Sequence, residues 1–365
     1  MIKKLIFLLW TVFWVLLLSV IVLELGVRTG LMRHSFQMWE IVFQLDKQTL
    51  YRIKPFSTPD IGPYGNRLNH PPAGDKPVRC VLVMGDSFAY GINVKPGETI
   101  AASLEKLLGP DYETINLGVF GYGPDQSLAQ LQSFALHLEP EAVVLTLFPA
   151  NDFNDLYKNK LFTVDGNGGL QRNPRNRLET QMPRFQSALI WDLAFYHWAK
   201  QPSRYIGIYD SFFHDNYDFG LIREPHSAAT QKKKAVMRGV LRGFRDTLAS
   251  RGICFLVVVI PSFEAIVEPG FFDAQGVSAD QHFVNEDAAT AICREENIRV
   301  INLYPDIMKA PERASWYDTA DHHLSVAGYG KVAEAVFKVL TDSQEPGHCA
   351  PLLKQRLPAN LPGKI

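Results

Sequence analysis

Apolar and polar positions fall into blocks along the chain, and the period of each block predicts an element. Residues 5–23 read LIFLLWTVFWVLLLSVIVL, apolar throughout and without a charge. As a helix, a run of this length spans the ~30 Å hydrocarbon core of a bilayer. It is apolar on every side, unlike the one-sided stripe of a helix packed on a soluble core. The rival reading is a cleavable signal peptide, with an apolar core of ~7–15 residues and a small-residue cleavage site. This run is longer, and the LELGVRTG after it offers no Ala-x-Ala site. We therefore read residues 5–25 as an uncleaved single-pass transmembrane anchor. Lys3 and Lys4 modestly favour a cytoplasmic N-terminus, since Arg28 and Arg33 flank the other end. The short N-terminal tail cannot hold a function, so the bulk of the chain is expected outside the cytoplasm, periplasmic or extracellular.

Residues 34–78 read as a connector, in which KPFSTPDIGPYGNRLNHPPAGDKP is too rich in Pro and Gly to favour long regular elements. From Cys80 the period changes. CVLVMG, YETINLG, EAVVLTLFPAND, ICFLVVVIP and IRVINLY contain short apolar runs of buried-strand length. GETIAASLEKLLG, PDQSLAQLQSFALHLEP, QKKKAVMRGVLRGFRDTLASRG, DAATAICREEN and SVAGYGKVAEAVFKVLTD carry apolar residues at helical spacing. Strands alternating with helices imply right-handed crossovers and a mainly parallel sheet. Continuously apolar strands imply that both faces of it are covered. The expected fold is α/β, a flavodoxin-like three-layer α/β/α arrangement over residues 79–345 with a mainly five-stranded parallel sheet.

Residues 151–228 are too long for an ordinary connection and read as a helical insertion. Trp191, Phe195 and Trp198 recur at helical spacing, as on one packed helix face. Tyr205, Tyr209 and Tyr217 lie among Pro, Gly and Asp without that period, where a tyrosine can offer its ring and hydroxyl to a ligand. The insertion reads as a subdomain with an aromatic core, as a lid or subsite wall, or as both. Residues 346–365 read as a fraying tail.

Composition excludes several functions. With 37 Lys+Arg against 38 Asp+Glu, no excess of cations exists to neutralise phosphates, so general nucleic-acid binding is excluded. Cys80, Cys254, Cys293 and Cys349 are too sparse for a disulfide scaffold and lack the CxxC spacing of a zinc site. No metal is expected. Disulfides are permitted outside the cytoplasm, but four cysteines specify no pairing, and nothing in the pattern specifies an oligomeric state.

In a parallel α/β sheet, ligands bind beyond the carboxyl ends of the strands. Four such places carry chemistry. Gly85, Asp86 and Ser87 end the first strand of the sheet, where a strand-to-helix turn can expose the serine hydroxyl. A serine nucleophile needs a base, and Asp318, Asp321, His322 and His323 stand just before the last helix. A carboxylate there can orient a histidine and stabilise its imidazolium. Gly121, after the second strand, offers a backbone N–H, and Asn151, after the third, a side-chain N–H, as donors for an oxyanion. Each residue alone has an ordinary reading: a turn serine, a turn glycine, a capping asparagine, a surface histidine pair beside a helix capped by Ser325. The joint placement on one edge, in one order, outweighs those readings.

These four blocks resemble the SGNH (GDSL-like) hydrolase superfamily. GDSFAYG supplies Ser87 as the nucleophile, whose own N–H joins the oxyanion hole. NLGVFGYG supplies Gly121, five residues after Asn116. PAND supplies Asn151, and DHHLSVAGY supplies His323, five residues before Gly328. The resemblance covers residues 78–341 apart from the insertion. Pro149 stands where the third block usually has Gly. Ala320 stands where the last block usually has its Asp, three residues before the histidine. Asp321 is taken as the triad acid, with Asp318 kept open, and His322 lacks the spacing of His323.

The resemblance implies a serine esterase acting on acyl esters, with an acyl-enzyme and no metal or organic cofactor. The implied partners are an acylated carbohydrate or a small ester, with O-acetyl groups of a surface or secreted polysaccharide as the substrate class. An O-acyltransferase, in which a sugar hydroxyl replaces water, uses the same residues. A catalytically idle polysaccharide-binding or assembly module is the alternative of another class.

Overall fold

The computed structural model describes residues 2–28, 42–71, 79–173 and 217–342. Ile2–Arg28 is one helix, α1, and its large apolar side chains from Ile6 to Val22, apart from the half-buried Val20, are exposed. Among the described residues no helix is long and apolar enough to cross a membrane. The side chains of Leu5 and of residues 23–28 lie outside that set, so the described apolar stretch is shorter than the uncharged run in the sequence.

The expected connector carries an element of its own, a hairpin of β1 (Phe43–Asp46) and β2 (Leu50–Ile53). Its turn closes on the Asp46 carboxylate, which accepts from the Gln48 and Thr49 N–H groups at 2.8 and 2.9 Å. Phe43, Ile53 and Ile61 pack with Val119 and Tyr122 of a later loop, so the hairpin docks at the edge of the main sheet.

The parallel sheet contains β3 (Arg79–Met84), β4 (Tyr112–Asn116) and β5 (Ala142–Leu147). After the small hairpin of β6 (Phe162–Val164) and β7 (Leu170–Arg172), it is completed by β8 (Cys254–Val259) and β9 (Arg299–Asn302). The order is β4-β3-β5-β8-β9, with Val83 flanked by Asn116 and Val144. This is the 2-1-3-4-5 order of a flavodoxin-like sheet. The α/β fold with five parallel strands matches the expectation.

Two helix layers cover it. Helices α4 (Pro124–Ser133), α5 (Pro149–Asn159), α6 (Ala228–Ala249) and α8 (Val284–Glu295) pack on the face that carries Leu82, Met84, Val143, Leu145 and Val257. Helices α3 (Ile100–Leu108) and α9 (Val326–Thr341) pack on the face of Val81, Val83, Val144 and Leu256. Every residue of β5 and β8 is buried, because a central strand with helices above and below has no solvent side. Two short helices, α2 (Ser87–Tyr90) and α7 (Phe263–Ile266), follow β3 and β8 at the carboxyl edge.

One expectation about the insertion is overturned. Tyr217 does not offer its face to a ligand. It is buried, its ring meets Phe219, Phe271 and Phe272 at 4.8, 6.2 and 5.2 Å, and its O–H approaches the His282 carbonyl at 3.5 Å. Most of these partners are remote in the chain, so no local period announces the burial. Trp191, Phe195, Trp198, Tyr205 and Tyr209, together with the tail 346–365, lie outside the described residues. Cys80 and Cys293 are buried and free, with burial pushing both thiols up to about 12. Cys254 is disulfide-bonded.

Candidate active site

The chain passes from β3 to β4 on one side and then to β5 on the other. The carboxyl ends of β3 and β5 therefore form the switch point at which such sheets hold ligands. Ser87 follows β3 and Asn151 follows β5.

The Ser87 turn is held from several directions. Gly85 has φ 145°, and a Cβ there would lie 2.1 Å from Thr146 Oγ1 of β5. Only glycine lets the strands approach this closely while the chain turns. Asp86 caps α2, its Oδ1 accepting from the Phe88 N–H at 2.9 Å, which places Ser87 first in the helix. The last carbonyls of the turn are satisfied by side chains. Asn116 donates to the Ala89 carbonyl at 3.0 Å. The buried guanidinium of Arg67 donates to Tyr90 at 3.0 Å, to Val94 at 2.5 Å and to Gly91. Beneath the turn, burial raises the pKa of both Asp86 and Asp152, and the nearby Asp86 carboxylate adds to the rise at Asp152.

His323 reaches this turn from the loop before α9. Its Nε2 lies 2.8 Å from Ser87 Oγ. Its Nδ1 lies 3.0 Å from the Asp321 backbone carbonyl and 3.6 Å from Asp321 Oδ2. Both neighbours of Nδ1 are acceptors, so Nδ1 carries the proton and Nε2 presents its lone pair to the serine hydroxyl. The ring rests on Phe88, with centroids 4.7 Å apart. Asp321 Oδ1 accepts from the His323 N–H at 3.1 Å and from Asn93 at 3.3 Å. Burial works to raise the Asp321 carboxyl, and the hydrogen bonds from His323 hold it below its ordinary value. Asp318 instead accepts from the Ala320 N–H at 2.7 Å, closing its own loop. Of the two aspartates the sequence leaves open, Asp321 is the one whose carboxylate approaches the ring.

Gly121 lies in the loop after β4 with φ 69°, exposed at its surface. Asn151 stands in the first turn of α5, which Pro149 opens. Its Oδ1 is buried without a partner, and its amide nitrogen donates to no acceptor among the described residues.

Several contributors escape a sequence reading. Arg67 sits in the Pro- and Gly-rich connector, Tyr51 in β2, where its hydroxyl donates to the Phe120 carbonyl at 2.8 Å, and Asn93 beyond α2. None lies in a motif, and each acts through a contact distant in sequence. His322 turns away from Ser87. Its φ is 63°, its ring stacks on Phe263 at 4.2 Å, and its Nδ1 lies 3.0 Å from Glu264 Oε1. The hydrogen bond to Glu264 raises the pKa of this imidazole. Among the described residues no cluster of three or more His, Cys, Asp or Glu could hold a metal ion.

No protein-family model and no curated protein matches the chain. Among solved structures it is similar to TesA, at 14% identity and TM-score 0.39 over 72% of this chain and 98% of that one. It is also similar to the lipase/acylhydrolase from Enterococcus faecalis, at 13% identity and TM-score 0.40, over 74% of this chain and 100% of that one. A third is the acetylxylan esterase from Geobacillus stearothermophilus, at 12% identity and TM-score 0.38, over 71% of this chain and 93% of that one. Two further similar structures are described as lipolytic proteins of the G-D-S-L family, from Desulfitobacterium hafniense and Veillonella parvula, at 12% and 13% identity.

Proposed function

We propose that the chain is a membrane-anchored SGNH-type serine esterase. The observation that carries this reading is the 2.8 Å approach of His323 Nε2 to Ser87 Oγ, with Nδ1 turned toward Asp321. Ser87 attacks an ester carbonyl while His323 takes the hydroxyl proton, and Asp321 holds the imidazole in its tautomer and stabilises the imidazolium. The N–H groups of Ser87 and Gly121 and the amide of Asn151 receive the oxyanion. His323 returns the proton to the leaving alcohol. Water then attacks the acyl-serine with His323 as base, releasing the acid and restoring Ser87.

The substrate class follows from the sequence resemblance: O-acyl esters, O-acetyl groups above all, on a surface or secreted polysaccharide. Anchoring through α1 rests on the uncharged run at residues 5–23 and on the exposed apolar side chains of that helix. A disulfide at Cys254 fits an oxidising compartment outside the cytoplasm.

The test is hydrolysis of p-nitrophenyl acetate by full-length protein in detergent. Ser87→Ala is expected to lower turnover by on the order of 10⁴-fold or more. Unchanged turnover in a folded Ser87→Ala variant rejects the esterase. Release of acid without any sugar acceptor separates hydrolysis from obligatory acyl transfer, since both share the acyl-enzyme. Retention of the full-length protein in carbonate-washed membranes tests the anchor.

A further inference from the structure

A backbone N–H stabilises an oxyanion only if it is aimed before the reaction begins. The N–H of Gly121 belongs to the peptide plane whose carbonyl is that of Phe120. A peptide is planar and trans, so its C=O and N–H point in opposite directions, and fixing one fixes the other. The Phe120 carbonyl is fixed from outside the sheet. The Tyr51 hydroxyl, from β2, donates to it at 2.8 Å. A Cβ at position 121 would lie 3.0 Å from the same hydroxyl oxygen, so the phenol is seated directly against this peptide.

The phenol is itself held. Its ring meets Phe43 and Tyr122 edge-on at 5.7 and 5.3 Å, and the Tyr122 hydroxyl donates to the Tyr51 carbonyl at 2.5 Å. The Phe120 ring is wedged between Phe43 at 5.2 Å and Tyr90 of α2 at 4.4 Å. The hairpin, the oxyanion loop and the nucleophile turn thus share one aromatic cluster. Burial chiefly pushes the Tyr51 hydroxyl well above its usual pKa, so it retains its proton as a donor.

We infer that Tyr51 is a positioning residue for the oxyanion site, aiming the Gly121 N–H by hydrogen-bonding the carbonyl of the same peptide. The same bond draws electron density toward the carbonyl oxygen and strengthens the opposite N–H as a donor. The inference rests on the esterase reading. It gives the stretch between the anchor and the sheet a catalytic duty: the hairpin sets the geometry in which the tetrahedral intermediate is stabilised.

The test uses full-length protein in detergent and the variant Tyr51→Phe, which keeps the ring and removes the donor. With p-nitrophenyl acetate, kcat is expected to fall on the order of 10-fold, with KM within about twofold. The affinity for phenylboronic acid, which forms a tetrahedral adduct on Ser87, should weaken by the same factor as kcat. Unchanged kcat, or a rise in KM matching the fall in kcat, overturns the inference. Ser87→Ala separates the two claims. If it abolishes turnover while Tyr51→Phe does not lower kcat, only the inference fails. If it leaves turnover intact, the esterase reading fails. Should Tyr51→Phe not fold, Tyr51→3-fluorotyrosine alters only the donor strength. It must shift kcat at constant KM, and an unmoved kcat overturns the inference.

Discussion

His322 and His323 are neighbours in sequence and meet different surroundings. Each lays its ring against a phenylalanine at the start of a short helix beyond a strand: Phe88 after β3 for His323, Phe263 after β8 for His322. Each turns Nδ1 toward acceptor oxygen, Asp321 in one case and Glu264 in the other. They differ at Nε2. That of His323 meets the Ser87 hydroxyl at 2.8 Å, whereas that of His322 has no hydrogen-bond partner among the described residues. The left-handed backbone of His322, φ 63°, splits the pair between two strand ends. A histidine–carboxylate pair is therefore not by itself a catalytic feature. What sets the His323 pair apart is the Ser87 hydroxyl at its far nitrogen, and the proposed esterase chemistry depends on that contact.

The sharpest test of this contrast exchanges each imidazole for an amide. His323→Gln should lower p-nitrophenyl acetate turnover by about 10⁴-fold, and His322→Gln by only a few-fold; equal losses would dissolve the distinction. Next come the aspartates. Asp321→Asn should cost about 10²- to 10⁴-fold in kcat, and Asp318→Asn far less, because the Asp318 carboxylate serves the Ala320 N–H. A worse lesion at Asp318 would exchange their roles.

A smaller effect concerns the pair of His322 and Glu264 and appears in stability. The His322 pKa is raised in the fold, so its contribution is complete below about pH 6.5 and is lost as pH rises through the folded value. Burial would raise Glu264, yet the bond from His322 leaves it lowered. Its contribution is therefore present above about pH 4.5 and lost as pH falls through its folded value. Glu264→Gln should lower Tm most near pH 5–6, with the deficit shrinking at about pH 9. A pH-independent deficit would make the contact one of packing alone.

The mildest prediction sets Glu264 against Glu286, a buried carboxyl whose two oxygens have no hydrogen-bond partner among the described residues. Burial pushes Glu286 up to about 8. A raised acid binds its proton more tightly in the fold, so stability falls as pH rises from about 4.5 to the folded value. Glu286→Gln should match the parent protein near pH 4 and exceed it in Tm at pH 8. A Tm gap that does not change with pH would refute this assignment.

Much of the fold is legible along the chain because its cues are local. The continuous apolar runs of β3, β5 and β8 announce strands buried on both faces, and Ser227 and Ser325 mark helix starts through caps made within three residues. Ser87, Gly121 and Asn151 stand in short motifs after β3, β4 and β5, and His323 stands in another before α9, so the strand topology places all four motifs toward one edge of the sheet. Tyr217 shows the limit: its polar surroundings in sequence suggest exposure, yet Phe271 and Phe272 bury it.

The succession of strands and helices, and the residue types at the strand ends, are settled along the chain, since periodicity and capping depend on residues a few positions apart. Folding in three dimensions is what distinguishes Asp321 from Asp318, parts His322 from His323, and sets Arg67 against the Ser87 turn and Tyr51 against the Phe120 carbonyl. These are questions of direction and distance between groups remote in the chain. Arg67 spans 24 residues to Gly91 and Tyr51 spans 69 to Phe120. Such contacts exist only once the hairpin has docked, and no period or motif encodes them because the partners share no local backbone geometry.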